Sequence, residues 1–129
     1  MTGHRILLVE DDAMIALHTE DVLTDGGYVV VGPADDLSLA MTFAQTAQID
    51  AAVLDVNLGP GIYVWPVAEI LHARGIPFVL LTAFGAGLAV PAICQRAPRL
   101  SKPFEGNSLL EAVTIALRRA DQKSRAPGA

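Results

Sequence analysis

Five short apolar runs, each closed by a turn or a polar residue, constrain this chain more than any other feature: Ile6–Val9, Val29–Val31, Ala51–Leu54, Phe78–Leu81 and a weaker run at Arg99–Ser101. Runs of this length that are apolar throughout read as strands buried on both faces. The stretches between them have helical spacing. Ala13–Thr24 ends at Gly26-Gly27, where a left-handed helix cap is easy. After Asp35-Asp36, the residues Leu37, Ala40, Met41 and Ala44 form one stripe. Pro66 suits a first helical turn, with Val67, Ile70 and Leu71 as the apolar face and Gly75 as the stop. Ser108, with Glu111 three residues on, makes a capping box ahead of Leu109, Val113, Ala116 and Ala120. Gly85, Gly87 and Pro91 predict only a short or irregular helix over 85–96. Strand and helix alternating in this way predict an α/β domain. Its sheet is parallel with helices on both faces, because parallel neighbours need crossovers and right-handed crossovers dominate. The polar, Pro/Gly-bearing end, 122–129, reads as a flexible tail on a single domain spanning 1–121.

Composition removes several function classes. Of the 129 residues, 52% are hydrophobic and 18% charged, which supplies a core and excludes a disordered chain. Nine Lys+Arg against 14 Asp+Glu give a net charge of −5. That balance removes the electrostatic basis for direct nucleic-acid binding and disfavours an anionic membrane surface. The single cysteine, Cys94, forms no internal disulfide and reads as a small apolar filler, so a reducing, cytoplasmic setting is expected. Residues 75–95 carry no charge, a length that could span a bilayer, but Pro77, Gly85, Gly87 and Pro91 break the stretch. The apolar run at Ile6–Val9 is too short for a signal peptide.

In an open parallel sheet, ligands bind beyond the carboxyl ends of the strands. Here the first strand runs into Glu10-Asp11-Asp12, the third into Asp55, the fourth into Thr82 and the fifth into Ser101-Lys102-Pro103. Gathered on one rim, Asp11, Asp12 and Asp55 repel one another, by roughly 4 kcal/mol per pair at about 4 Å and an effective dielectric near 20. Hard oxygen ligands in that crowding favour Mg²⁺, which keeps several waters and pairs one or two carboxylates with phosphate oxygens. Lys102 and Thr82 suit a phosphoryl group, and an aspartate can be a nucleophile toward phosphorus when its surroundings neutralise the developing charge.

The acidic pair Asp11-Asp12, the lone Asp55, Thr82-Ala83 and Lys102-Pro103-Phe104, in that order and spacing, resemble the receiver domain of two-component response regulators. The resemblance covers about Arg5 to Arg119. It implies a flavodoxin-like fold with strand order 2-1-3-4-5. It implies that Asp55 accepts phosphate from a histidine kinase or a histidine phosphotransfer protein. It further implies that Asp12, Asp55 and the Asn57 backbone carbonyl hold Mg²⁺, with Asp11 acting through a bound water. Thr82, Ala83 and Lys102 would meet the phosphoryl oxygens, and the Lys102-Pro103 bond would be cis. A domain of this kind is a phosphoacceptor with at most self-phosphorylation and self-dephosphorylation activity, not an enzyme in the ordinary sense. The length of the sequence leads to the expectation of a stand-alone receiver.

Two features depart from the common pattern. Arg99 stands three residues before Lys102, where an aromatic switch residue is usual. The segment Leu80-Leu81-Thr82-Ala83-Phe84 partly matches a single-domain subgroup with a Phe-Ala-Thr-Gly-Tyr motif and an irregular fourth helix.

Each residue also has a plainer role. Asp11 or Asp12 alone is a good helix N-cap, Asp55 before Asn57 and Gly59 is a turn former, and Lys102 is a solvated charge. Gly85-Ala-Gly87 is a weak dinucleotide fingerprint, because Val90 and Pro91 stand where a small residue and a helix are needed. Gly59-Pro60-Gly61 shapes the loop after Asp55, and Tyr63 and Trp65 are either a lid on the site or helix packing. His4, His18 and His72 show no metal spacing. The rival functions are an interaction module of the same fold that works without phosphorylation, and a small nucleotide-binding enzyme.

Overall fold

A computed structural model describes residues 3–83 and 89–124. The strands are β1 (Arg5–Val9), β2 (Val29–Ala34), β3 (Ala51–Asp55), β4 (Phe78–Thr82) and β5 (Arg99–Ser101). They alternate with helices α1 (Ala13–Asp25), α2 (Leu37–Thr46), α3 (Trp65–Ala73) and α4 (Gly106–Ser124), and a 3-10 turn at Ala92–Cys94 precedes β5. All strand pairs are parallel, in the order β2-β1-β3-β4-β5. The flavodoxin-like expectation is met.

Strand pleating explains why the apolar runs do not alternate with polar residues. Leu7, Val9, Ala52 and Leu54 point into a core closed by Ala40, Ala44, Val67 and Leu71 of α2 and α3. Ile6, Leu8, Val53 and Leu81 point the other way, onto Leu23 of α1 and Leu109 and Val113 of α4. Both faces are therefore dry, so after Arg5 every position of β1, β3 and β4 selects an apolar side chain until the carboxyl end. There the polar residues Glu10, Asp55 and Thr82 begin.

Two boundaries differ from the sequence reading. β2 continues beyond Val31 to Ala34, because a register shift between Leu7 and Val9 takes in an extra residue beside Gly32. Gly32 has φ +97, and a Cβ there would stand 2.8 Å from the Ala34 nitrogen. α4 begins at Gly106, with Leu109 N–H bonded to the Glu105 carbonyl at 3.1 Å, so Ser108 lies inside the first turn and is not the cap. The start is drawn forward by close packing on α1, where a Cβ on Gly106 would meet Val22 at 3.3 Å. Of the irregular segment over 85–96, residues 85–88 lie outside the described part, and the remainder holds only the 3-10 turn. No helix among the described residues is long and apolar enough to cross a membrane.

Candidate functional site

Strand register assembles the site. Val9 pairs with Leu54, so the next residues, Glu10 and Asp55, emerge side by side at the point where strand order reverses. Asp55 pairs with Leu81 across β3 and β4, which brings Thr82 to the same rim. Lys102 follows β5, and its N–H bonds to the Thr82 carbonyl at 2.9 Å. Both the Lys102-Pro103 and Gly32-Pro33 bonds are cis, the first as the resemblance implied.

Lys102 Nζ lies 2.8 Å from Glu10 Oε1 and 3.2 Å from Asp55 Oδ1. Glu10 and Asp55 are 1% and 5% exposed, so both are taken from water before they are paired. Apart from that ammonium, Glu10 Oε1 has no hydrogen-bond partner among the described residues. Oxygens of Glu10, Asp11 and Asp55 all lie within 4.8 Å of one another. Three carboxylates against one ammonium leave the pocket short of positive charge. Burial, then the hydrogen bond and charge of Glu10 and the contact with Asp11, push the Asp55 carboxyl from 3.8 to about 8, against the pull of Lys102. For Lys102, burial alone works against the charged form, but its bonds to Glu10 and Asp55 outweigh that and hold its ammonium above the ordinary value. An oxygen-only donor set with unmet negative charge fits a hard divalent cation.

The acidic pair that reaches this cluster is Glu10-Asp11, one residue earlier than the Asp11-Asp12 pair expected from the sequence. Asp12 instead caps α1, with Oδ1 accepting from the N–H groups of Met14 at 2.9 Å and Ile15 at 3.0 Å. Glu10 is thus the site residue that sequence reasoning passed over. Asn57 sits two residues past Asp55, donates its N–H to Asp55 Oδ1 at 3.4 Å and accepts from Gly59 N–H at 3.1 Å. A small hairpin pins it: Leu58 and Ile62 bond across Gly59-Pro60-Gly61, and Asn57 bridges Tyr63. Trp65 packs on the core, and the exposed Tyr63 ring stacks on it at 6.1 Å, which makes the pair helix packing with an outer ring. Thr82 is buried and Ala83 exposed. Arg99 is exposed on β5, while Phe84 and Gly85-Ala-Gly87 lie outside the described residues.

Comparison with known proteins agrees with this fold. The family model described as the response regulator receiver domain matches residues 6–114. The transcriptional regulatory protein PdtaR of Mycobacterium tuberculosis is 31% identical over 117 residues, covering 89% of this chain and 57% of PdtaR. The transcriptional regulatory protein CusR of Escherichia coli is 32% identical over 123 residues, covering 89% of this chain and 52% of CusR. The chain therefore spans little more than half the length of these curated relatives. Among solved structures, SdrG from Sphingomonas melonis is similar with a TM-score of 0.76 at 39% identity, covering 88% of this chain and 96% of SdrG. A response regulator receiver protein from Sinorhizobium medicae is similar with a TM-score of 0.78 at 27% identity, covering 92% and 97% of the two chains. On the match over 6–114, the fold and the acidic rim, this chain belongs to the response regulator receiver domain family, a signalling domain of two-component systems.

Proposed function

We propose that this receiver takes a phosphoryl group on Asp55 from the phosphohistidine of a histidine kinase or histidine phosphotransfer protein, with Mg²⁺ in the acidic cluster. The observation that carries the reading is the buried Asp55 carboxyl, 3.2 Å from Lys102 and clustered with Glu10 and Asp11. In the transfer, an Asp55 oxygen bonds to phosphorus as the bond from phosphorus to the imidazole nitrogen breaks. The electron pair leaves with the imidazole, which takes a proton from solvent.

Asp55 attacks as the anion, and in the metal-free pocket its proton is held up to about pH 8. When bound, Mg²⁺ supplies the positive charge that favours the ionised carboxylate and offsets charge on the phosphoryl oxygens. The chain's own residues do the rest. Asp11, Asp55 and the Asn57 backbone carbonyl are the donors for the cation, and Glu10 adds charge while orienting Lys102. Lys102, the Thr82 hydroxyl and the Ala83 N–H meet the phosphoryl oxygens. Asp12, expected from the sequence as a donor, is read here as the α1 cap.

The test is incubation with acetyl phosphate and Mg²⁺, read by intact mass. One phosphoryl increment is expected, lost in Asp55→Asn and on chelation. An increment that survives Asp55→Asn overturns the assignment. No increment in wild type, with partner binding indifferent to Mg²⁺ and phosphodonor, favours the phosphorylation-independent module instead.

A further inference from the structure

We propose that a groove at the opposite pole of the sheet docks an acidic amphipathic segment of a partner protein. β4 starts at the groove with Phe78 and ends at the acidic rim with Thr82, four residue steps or roughly 13 Å of strand away. The groove has a volume of about 1140 Å³. Its lining includes the buried Ile76, Phe78 and Ala116 and the half-buried Ile93 and Ala120. Arg96 and Arg119, both exposed, also line it.

Charge identifies the occupant. Residues 1–95 carry two Lys+Arg and 11 Asp+Glu, whereas residues 96–129 carry seven and three. The basic surplus therefore lies on the chain segment that forms β5 and α4, and two of its arginines line an apolar groove. Among the described residues the ion pairs are those of Lys102 alone, so neither Arg96 nor Arg119 has a carboxylate partner there. One Arg119 N–H is spent on the Arg96 carbonyl at 2.8 Å, which ties the end of α4 to the turn after Cys94 and fixes the groove edge. A guanidinium has five N–H donors, so most of its capacity is open to an incoming carboxylate. An apolar lining combined with unpaired guanidinium groups matches a helix with one Leu- or Ile-rich face flanked by Glu or Asp. The same lining gives a sugar-phosphate backbone little to contact, and a net charge of −5 repels a polyanion at longer range.

A displayed library of 16-residue peptides, panned on the full chain and counter-selected on the Arg96→Glu/Arg119→Glu double variant, tests this. Binders enriched in acidic residues interleaved with Leu, Ile or Phe at helical spacing are expected. Amide shifts on titrating one such synthetic peptide should centre on Gly75, Ile93 and Arg119. Affinity should fall at least tenfold in Arg96→Glu, an exposed residue whose side chain makes no bond among the described residues, and again on raising salt from 50 to 500 mM. No enrichment over the counter-selection, binders without acidic residues, or shifts centred on another face overturn the proposal. So does a 20-base DNA duplex that binds more tightly than the peptide through the same arginines. Asp55→Asn should bind the peptide like wild type, so this result is independent of the phosphoacceptor assignment.

Discussion

Lys102 makes both ion pairs found among the described residues, so the charge balance of the pocket rests on one ammonium. Lys102→Met leaves Glu10 and Asp55 buried without a counter-charge, a change that costs about 3–5 kcal/mol in comparable buried pairs. Asp55 then loses the one influence that lowers its pKa, so its proton is held more firmly still. Urea unfolding should show the loss at pH 8 and a smaller one at pH 5, where the Asp55 carboxyl holds its proton. Equal losses at both values would mean that Lys102 acts by packing alone. Most of these site residues were legible because Asp55, Thr82 and Lys102 each stand at or just past the end of an apolar run. Glu10 was missed because three acids in a row follow β1, and composition alone does not say which two face inward. The register does: Val9 pairs with Leu54, so the residue after each run meets the other. Aligning the ends of the first and third runs would have selected Glu10.

At the scale of the element, the same slip separates a helix cap from a member of the acidic cluster. Asp12 Oδ1 accepts two backbone N–H groups at the start of α1, so Asp12→Ala should lower stability by about 1 kcal/mol. That loss should be the same with and without Mg²⁺, whereas Asp11→Ala should abolish the rise in melting temperature expected on adding millimolar Mg²⁺. A Mg²⁺ response lost in Asp12→Ala and kept in Asp11→Ala would return the acidic pair to positions 11 and 12. Strands and helices were readable because both sheet faces are buried, which leaves unbroken apolar runs between amphipathic stretches. The two boundaries that were not readable depend on contacts between elements: the bulge of β2 against β1, and the start of α4 against Val22. Gly32→Ala probes the first. With φ +97 and a Cβ 2.8 Å from the Ala34 nitrogen, it should destabilise by more than the ~1 kcal/mol that Gly→Ala gains where the backbone suits alanine. Thermal unfolding unchanged by this substitution would mean that β2 ends at Val31 in solution.

For the molecule as a whole, the pocket sets how stability varies with pH. Below 3.8, folded and unfolded chains both hold the Asp55 proton, so the group contributes no difference. Between 3.8 and about 8, the folded chain keeps a proton that the unfolded chain has released, and stability therefore falls as pH rises. Above that range both have released it, and the penalty, on the order of a few kcal/mol, stays constant. Lys102 works in a separate window, since its ammonium is held above the ordinary 10.5 and its contribution fades only as pH passes beyond that value. The decline through neutral pH thus belongs to Asp55, and Asp55→Asn should flatten it. A cation that binds the ionised cluster competes with the proton, so stabilisation by Mg²⁺ should grow across the same range by mass action. Calorimetry of wild type and Asp55→Asn from pH 5 to 8.5, with and without Mg²⁺, separates these effects. If metal-free wild type gains stability on Asp55→Asn as pH rises, the crowding that holds the proton is absent, and with it the reason for a cation. If it loses stability as argued, the excess negative charge that weakens the metal-free fold is the charge that the proposed cation would neutralise, leaving Asp55 ionised for attack on phosphorus.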